Sequence, residues 1–201
     1  MNPTFIPYFF TPAEQTGLPS FKDDEALLNF LIDRKYLTVT DWKGEEEPFQ
    51  IGHFIQGRLG NLKVDSIFEI ENVYQLMQKQ SGDLNTGDSV PFLLKQFQAL
   101  VKKEGFTIVL LDRGNDSYYI GVAFTRHLKD LKKKSNDFWR WRAFGDSSGE
   151  VLYTVNCSCG SMNVWQVKRG EIITEDNCQN CGKEIFNKDG KSTFEIIREY
   201  V

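Results

Sequence analysis

The sequence predicts an α+β fold, with several helices packed on a small, largely antiparallel sheet and a smaller β module at the C-terminus. Three observations carry that expectation. Apolar residues recur at helical spacing after Asp23, after Asp65 and after Asp88. Two apolar runs, Phe106 to Leu111 and Tyr118 to Phe124, flank a polar loop and read as a hairpin. All four cysteines fall in the 25 residues from Cys157 to Cys181.

Taken in order, residues 1 to 20 are apolar but carry Pro3, Pro7, Pro12 and Pro19, which suggests an extended arm over the domain. Phe5, Phe9 and Phe10 suit packing there. Asp23-Asp24-Glu25 places carboxylates at the positive end of a helix whose stripe is Leu27, Phe30, Leu31 and Arg34. Tyr36 to Trp42 alternates as a strand, and Lys43 to Pro48 is a charged loop. Phe49 to Leu59 is ambiguous. Ile51, Ile55 and Leu59 have helical spacing, but Gly52 and Gly57 oppose a helix. Asp65 suits a cap for a helix carrying Ile70, Val73, Tyr74 and Met77. A third helix opens at Asp88 or Ser89, with Pro91 in its first turn, and stops at Gly105. After the hairpin come a short basic helix, Arg126 to Lys134, and an aromatic–basic strand, Phe138 to Phe144. Gly145 to Gly149 is a polar break. The expected domains are therefore residues 1–148 and 149–201.

Cys157-Ser158-Cys159-Gly160 and Cys178-Gln179-Asn180-Cys181-Gly182 form two ligand pairs separated by 18 residues. That spacing falls within the window of roughly 15–20 residues for a four-cysteine zinc site. Glycine after a knuckle permits a left-handed backbone, which turns amide N–H groups toward sulfur. Asn163 to Val167 alternates as a strand. Glu184-Ile185-Phe186 and Thr193 to Ile197 suit a second hairpin, joined at Asn187-Lys188-Asp189-Gly190. The layout of residues 151 to 201 resembles a zinc ribbon, although its first pair has one intervening residue where the pattern has two. The resemblance implies structural Zn²⁺ held by Cys157, Cys159, Cys178 and Cys181, in a closed shell with no position for a catalytic water. Two disulfides or four free thiols are the alternatives. Disulfides need an oxidising compartment.

Other candidates are weaker. Lys132, Lys133 and Lys134 precede Trp139-Arg140-Trp141-Arg142, and basic residues beside aromatics can hold phosphates and stack bases. The alternative is a strand with its tryptophans in the core and its arginines in water. Asp41, Glu45, Glu46 and Glu47 form an acidic cluster capable of acid–base work, but a solvated loop is the commoner meaning. His53 is expected in the core and His127 on the surface. Gly190-Lys191-Ser192 is not a phosphate loop, because Ile185 stands where that motif needs glycine.

Composition bounds the function. With 40% hydrophobic and 26% charged residues the chain can bury a core. A net charge of −4 argues against a surface that coats nucleic acid throughout. Met1 to Phe10 has no basic side chain, and the clearest apolar run is far short of the ~20 residues of a membrane span, so a cytoplasmic protein is expected. The acidic front and basic middle suit a partner interface. The order of elements in residues 1 to 150 is similar to that of uncharacterised bacterial proteins, including some immunity proteins of toxin systems. The expected function is a non-enzymatic, zinc-stabilised interaction protein. The alternatives are a nucleic-acid-binding protein using residues 126–142 and the ribbon, and a hydrolase using the acidic loop.

Overall fold

The computed structural model describes residues 4–62, 68–84, 86–146, 150–168 and 170–200. Asp65, expected as a helix cap, lies outside these residues, as do Ser147 to Gly149 of the expected break. The chain forms two compact units, Met1–Gly145 and Asp146–Val201.

The first unit is α+β. In chain order it contains α1 (Ile6–Phe9), α2 (Pro12–Thr16), α3 (Asp24–Asp33), β1 (Leu37–Asp41), α4 (Gln50–Asn61), α5 (Ile70–Lys79), α6 (Ser89–Lys103), β2 (Phe106–Asp112), β3 (Ser117–Phe124), α7 (Leu128–Lys132) and β4 (Arg140–Ala143). The strands make one antiparallel sheet in the order β1-β3-β2-β4. Both faces are covered. Ile108, Leu110, Ile120 and Val122 pack with α4, α5 and α6, while Val109, Leu111 and Ala123 pack with α1, α3 and α7. That double burial is why β2 reads as a continuous apolar run and not as an alternating one. Each such Leu, Ile or Val contributes roughly 1.5–3 kcal/mol.

The N-terminal segment is not an extended arm. It folds as α1 and α2, because Pro7 and Pro12 fall in first turns, where a missing N–H breaks no helical bond. Thr11 and Glu14 form a reciprocal capping box on α2. Phe5, Phe9 and Phe10 are buried. Phe9 lies against Gly121 of β3, where an added Cβ would sit 2.8 Å from its ring.

The ambiguous stretch after Phe49 is the helix α4. Gly52 is needed for its approach to α5 and α6, since a Cβ there would lie 2.5 Å from Ile70 and 3.0 Å from Phe97. Its start is capped from outside: Glu45 Oε1 accepts from Ile51 N–H at 2.6 Å.

The second unit contains β5 (Glu150–Asn156), β6 (Met162–Lys168), β7 (Asp176–Asn177), β8 (Glu184–Phe186) and β9 (Ile197–Tyr200). The expected hairpin between Glu184–Phe186 and Thr193–Ile197 does not form. The Asn187 turn exists, with Asn187 N–H donating to Lys191 C=O, but β8 pairs with β7 and β9 with β5. The sheet order is β6-β5-β9. Its core is small: Val155, Cys157, Cys178, Ile185 and Phe186 are buried, with Trp165 edge-on to Phe186 at 5.0 Å. Among the described residues, no helix is long and apolar enough to cross a membrane.

Candidate metal centre

The turn after β5 carries Cys157 and Cys159, and the turn between β7 and β8 carries Cys178 and Cys181. Each is a knuckle closed by glycine. Gly160 N–H donates to Cys157 C=O and Gly182 N–H to Cys178 C=O, both at 2.9 Å, with φ of 85° and 71°. These left-handed positions let the chain reverse around the sulfurs.

All four Sγ atoms lie within 4.8 Å of one another. Cys157 is 3.6 Å from Cys181, and Cys159 is 3.7 Å from Cys178. A tetrahedron of sulfurs about 2.3 Å from a central Zn²⁺ has edges of about 3.8 Å, so the donor set fits a metal ion. A disulfide needs about 2.05 Å, and all four cysteines are unbridged.

Backbone donors favour anionic sulfur. The Cys178 thiol is held down at about 6, chiefly by the N–H of Cys181, with further donors from Asn180 and Asn163. The Ser161 N–H, then the Cys181 thiol, lower Cys159. At Cys181 the Lys183 N–H acts in the same direction. The crowded thiols of Cys159 and Cys157 outweigh it and push Cys181 up to about 12. Four sulfurs so close cannot all ionise alone, and a cation removes that conflict.

Asn163, a buried residue of β6 that sequence reasoning passed over, ties the knuckles together. Its Nδ2 donates to Ser161 C=O at 3.2 Å and lies 3.6 Å from Cys178 Sγ, while its Oδ1 accepts from Gln179 N–H at 3.1 Å. The one available signal was its phase: Asn163, Trp165 and Val167 share the inward face of β6, so an amide there faces the cysteines.

Residues 7–140 match a family described as a domain of unknown function, DUF6630. The chain belongs to that family. The match lies within Met1–Gly145, so the four cysteines are outside it. Neither curated proteins nor solved structures give a match to the chain.

Within the DUF6630 domain, the basic–aromatic stretch is divided between core and surface. Trp139 and Trp141 are 1% and 5% exposed, stack on each other at 5.8 Å and contact Phe5. They are therefore out of reach of a nucleic-acid base. Trp139 Nε1–H donates to Asp24 Oδ1 at 2.9 Å. Arg140 is engaged with Asp112, through its carbonyl at 3.1 Å and its carboxylate at 3.4 Å. Arg142 is half-buried in β4, and Lys132, Lys133 and Lys134 are exposed at the end of α7.

The acidic cluster of this domain does not converge. Asp41 Oδ1 accepts from Lys43 N–H in an exposed turn, whereas Glu45 turns inward to cap α4 and accepts from Tyr74 Oη at 2.6 Å. Burial raises the Glu45 carboxyl above its ordinary range despite those two donors. Glu46 and Glu47 instead line a cleft of about 440 Å³ with Ile32, Lys35, Leu37, Thr38, Val39, Gln50, His53 and Phe54.

His53 is not the packed residue expected, and His127 is less exposed than expected. His53 is exposed on α4, because it projects from the face opposite Ile51 and Ile55. His127 is half-buried between the rings of Tyr8 and Phe124, at 5.6 and 5.5 Å. Burial, then Arg126, lower its affinity for a proton.

Proposed function

We propose that this DUF6630 protein is a non-enzymatic interaction protein whose C-terminal unit is clasped by one structural Zn²⁺ ion. The observation that carries the reading is the closed set of four sulfurs at tetrahedral spacing. All-thiolate donors suit zinc among the metals available to a protein. Four protein ligands leave the ion no free position, so it stabilises and does not catalyse. The small core of the unit supports a stabilising role. Cysteines kept as thiols suit a reducing compartment, which supports a cytoplasmic location.

A partner contact is supported by the outward face of the β6-β5-β9 sheet. Met162, Val164 and Ile197 are 67%, 47% and 48% exposed. The register sets Val164, Thr154 and Ile197 in one row across the three strands. Apolar side chains gathered on one solvent face mark protein contacts. The test is a crosslinking pull-down from cells that express the protein, comparing wild type with Val164→Asp/Ile197→Asp. Partners held by the wild type and lost by the double variant, with zinc content unchanged, are the expected result. Identical captures from both proteins would remove this face from the reading.

A further inference from the structure

The four cysteines are shared between surface and core in a way that bears on how the clasp responds to oxidants, given the zinc reading above. Cys159 and Cys181 are exposed, whereas Cys157 and Cys178 are buried. Each exposed sulfur touches a buried one of the other knuckle. Cys181 Sγ lies 3.6 Å from Cys157 Sγ, and Cys159 Sγ lies 3.7 Å from Cys178 Sγ. A disulfide needs about 2.05 Å, a gap that small side-chain rotations can close. Asn163 joins the knuckles without using a sulfur. Its Oδ1 accepts from Gln179 N–H at 3.1 Å and its Nδ2 donates to Ser161 C=O at 3.2 Å. Those two bonds keep the sulfur pairs adjacent as the first sulfur–metal bond breaks.

We propose that Cys159 and Cys181 are sites of oxidation by hydrogen peroxide, each resolved by its buried neighbour. Two cross-knuckle disulfides, Cys157–Cys181 and Cys159–Cys178, then replace the Zn²⁺ ion and keep the unit folded. The exposed thiolate attacks one peroxide oxygen: an S–O bond forms, the O–O bond breaks and hydroxide leaves. The buried thiolate attacks the sulfenic sulfur: an S–S bond forms, the S–O bond breaks and a second hydroxide leaves. Two electrons thus pass from each sulfur pair to one peroxide molecule, and the second pair consumes another. Thiolates are the sulfur form that holds a metal, so the ion departs once they are spent. The pairing follows from exposure and contact. Bonds within the knuckles would leave the two turns untied, and Cys157–Cys159 would close a very small ring. A Cys157–Cys178 bond would join the two sulfurs that the oxidant reaches least. A dithiol reductant reverses both bonds and returns four thiolates for zinc.

The test treats full-length, zinc-loaded protein with hydrogen peroxide. It follows zinc release, the connectivity of the joined peptides by electron-transfer fragmentation, and the amide spectrum of Asp146–Val201. Untreated protein without zinc would remove the zinc reading and this inference together; the other outcomes bear on the inference alone. Release of the bound zinc is expected, with Cys157 joined to Cys181, Cys159 joined to Cys178, and the dispersed spectrum retained. Chelation of the reduced protein should collapse that spectrum, which makes its survival after peroxide a property of the disulfides. Dithiothreitol with added zinc should restore the starting spectrum, and dithiothreitol with a chelator should abolish it. The proposal is overturned if zinc and all four thiols survive peroxide. Sulfinic or sulfonic acids at Cys159 and Cys181, any other pairing, or a spectrum that collapses on oxidation would overturn it as well.

Discussion

Asn163 Nδ2 lies 3.6 Å from Cys178 Sγ, in a side chain whose other contacts bind the two knuckles to each other. It thus holds the two ligand turns at the spacing a single ion needs. Residues behind metal ligands tune affinity by about 10–100-fold. Asn163→Leu is expected to weaken zinc by about that factor in a chelator competition. Unchanged affinity would reduce Asn163 to a packing residue.

Arg58 is buried in α4. Its Nη1 bonds Glu14 at 2.8 Å, its Nη2 bonds Phe9 C=O at 2.7 Å, and it sits over Tyr36. Removing one partner of a buried ion pair strands a charge and costs about 3–5 kcal/mol. Glu14→Gln should lower stability by about that amount in urea unfolding, and Arg58→Met in the same chain should recover much of it. A loss below about 1 kcal/mol for Glu14→Gln would show the pair behaving as a surface one.

Two glycines of α4 should respond in opposite directions. A Cβ on Gly52 meets Ile70, Phe97 and Tyr74, whereas one on Gly57 meets open space. Gly52→Ala is expected to destabilise by about 1–3 kcal/mol through overpacking. Gly57→Ala should stabilise by about 0.5–1 kcal/mol, because alanine loses less entropy in a helix. Parallel effects in thermal unfolding would contradict the packing at Gly52.

Burial raises the folded-state value of Glu45 above its ordinary 4.5. Between those two values the folded chain holds more protons than the unfolded chain, so stability falls as pH rises. The contribution is complete below about 4.5 and is lost as pH climbs through the folded value. Glu45→Gln should remove that decline and leave the Ile51 N–H capped. Denaturation midpoints for the two proteins, compared from pH 4 upward, should diverge. Curves that stay parallel would show that Glu45 does not titrate differently on folding.

Periodicity made α3, α6 and the β2–β3 hairpin legible in the sequence, because each buries a stripe or a run of its own. The elements it misread are set by distant residues. α4 owes its cap to Glu45 and its glycine to Ile70. The N-terminal prolines look like extended chain until their places in first turns are known. β9 pairs with β5, more than forty residues away in sequence, and no local signal marks that choice. The cysteine site was readable because its ligands are a rare residue in a fixed grouping. Asn163 was not, since its contacts depend on the β6 register and on the fold of the second knuckle.

The most direct measurement is metal content by elemental analysis of protein purified without chelators, joined to a thiol-reactivity count before and after chelation. One zinc per chain is expected, with four thiols protected until the metal is stripped and the amide spectrum of Asp146–Val201 collapsing when it goes. A metal-free protein whose four thiols react at once while that spectrum persists would contradict the central claim.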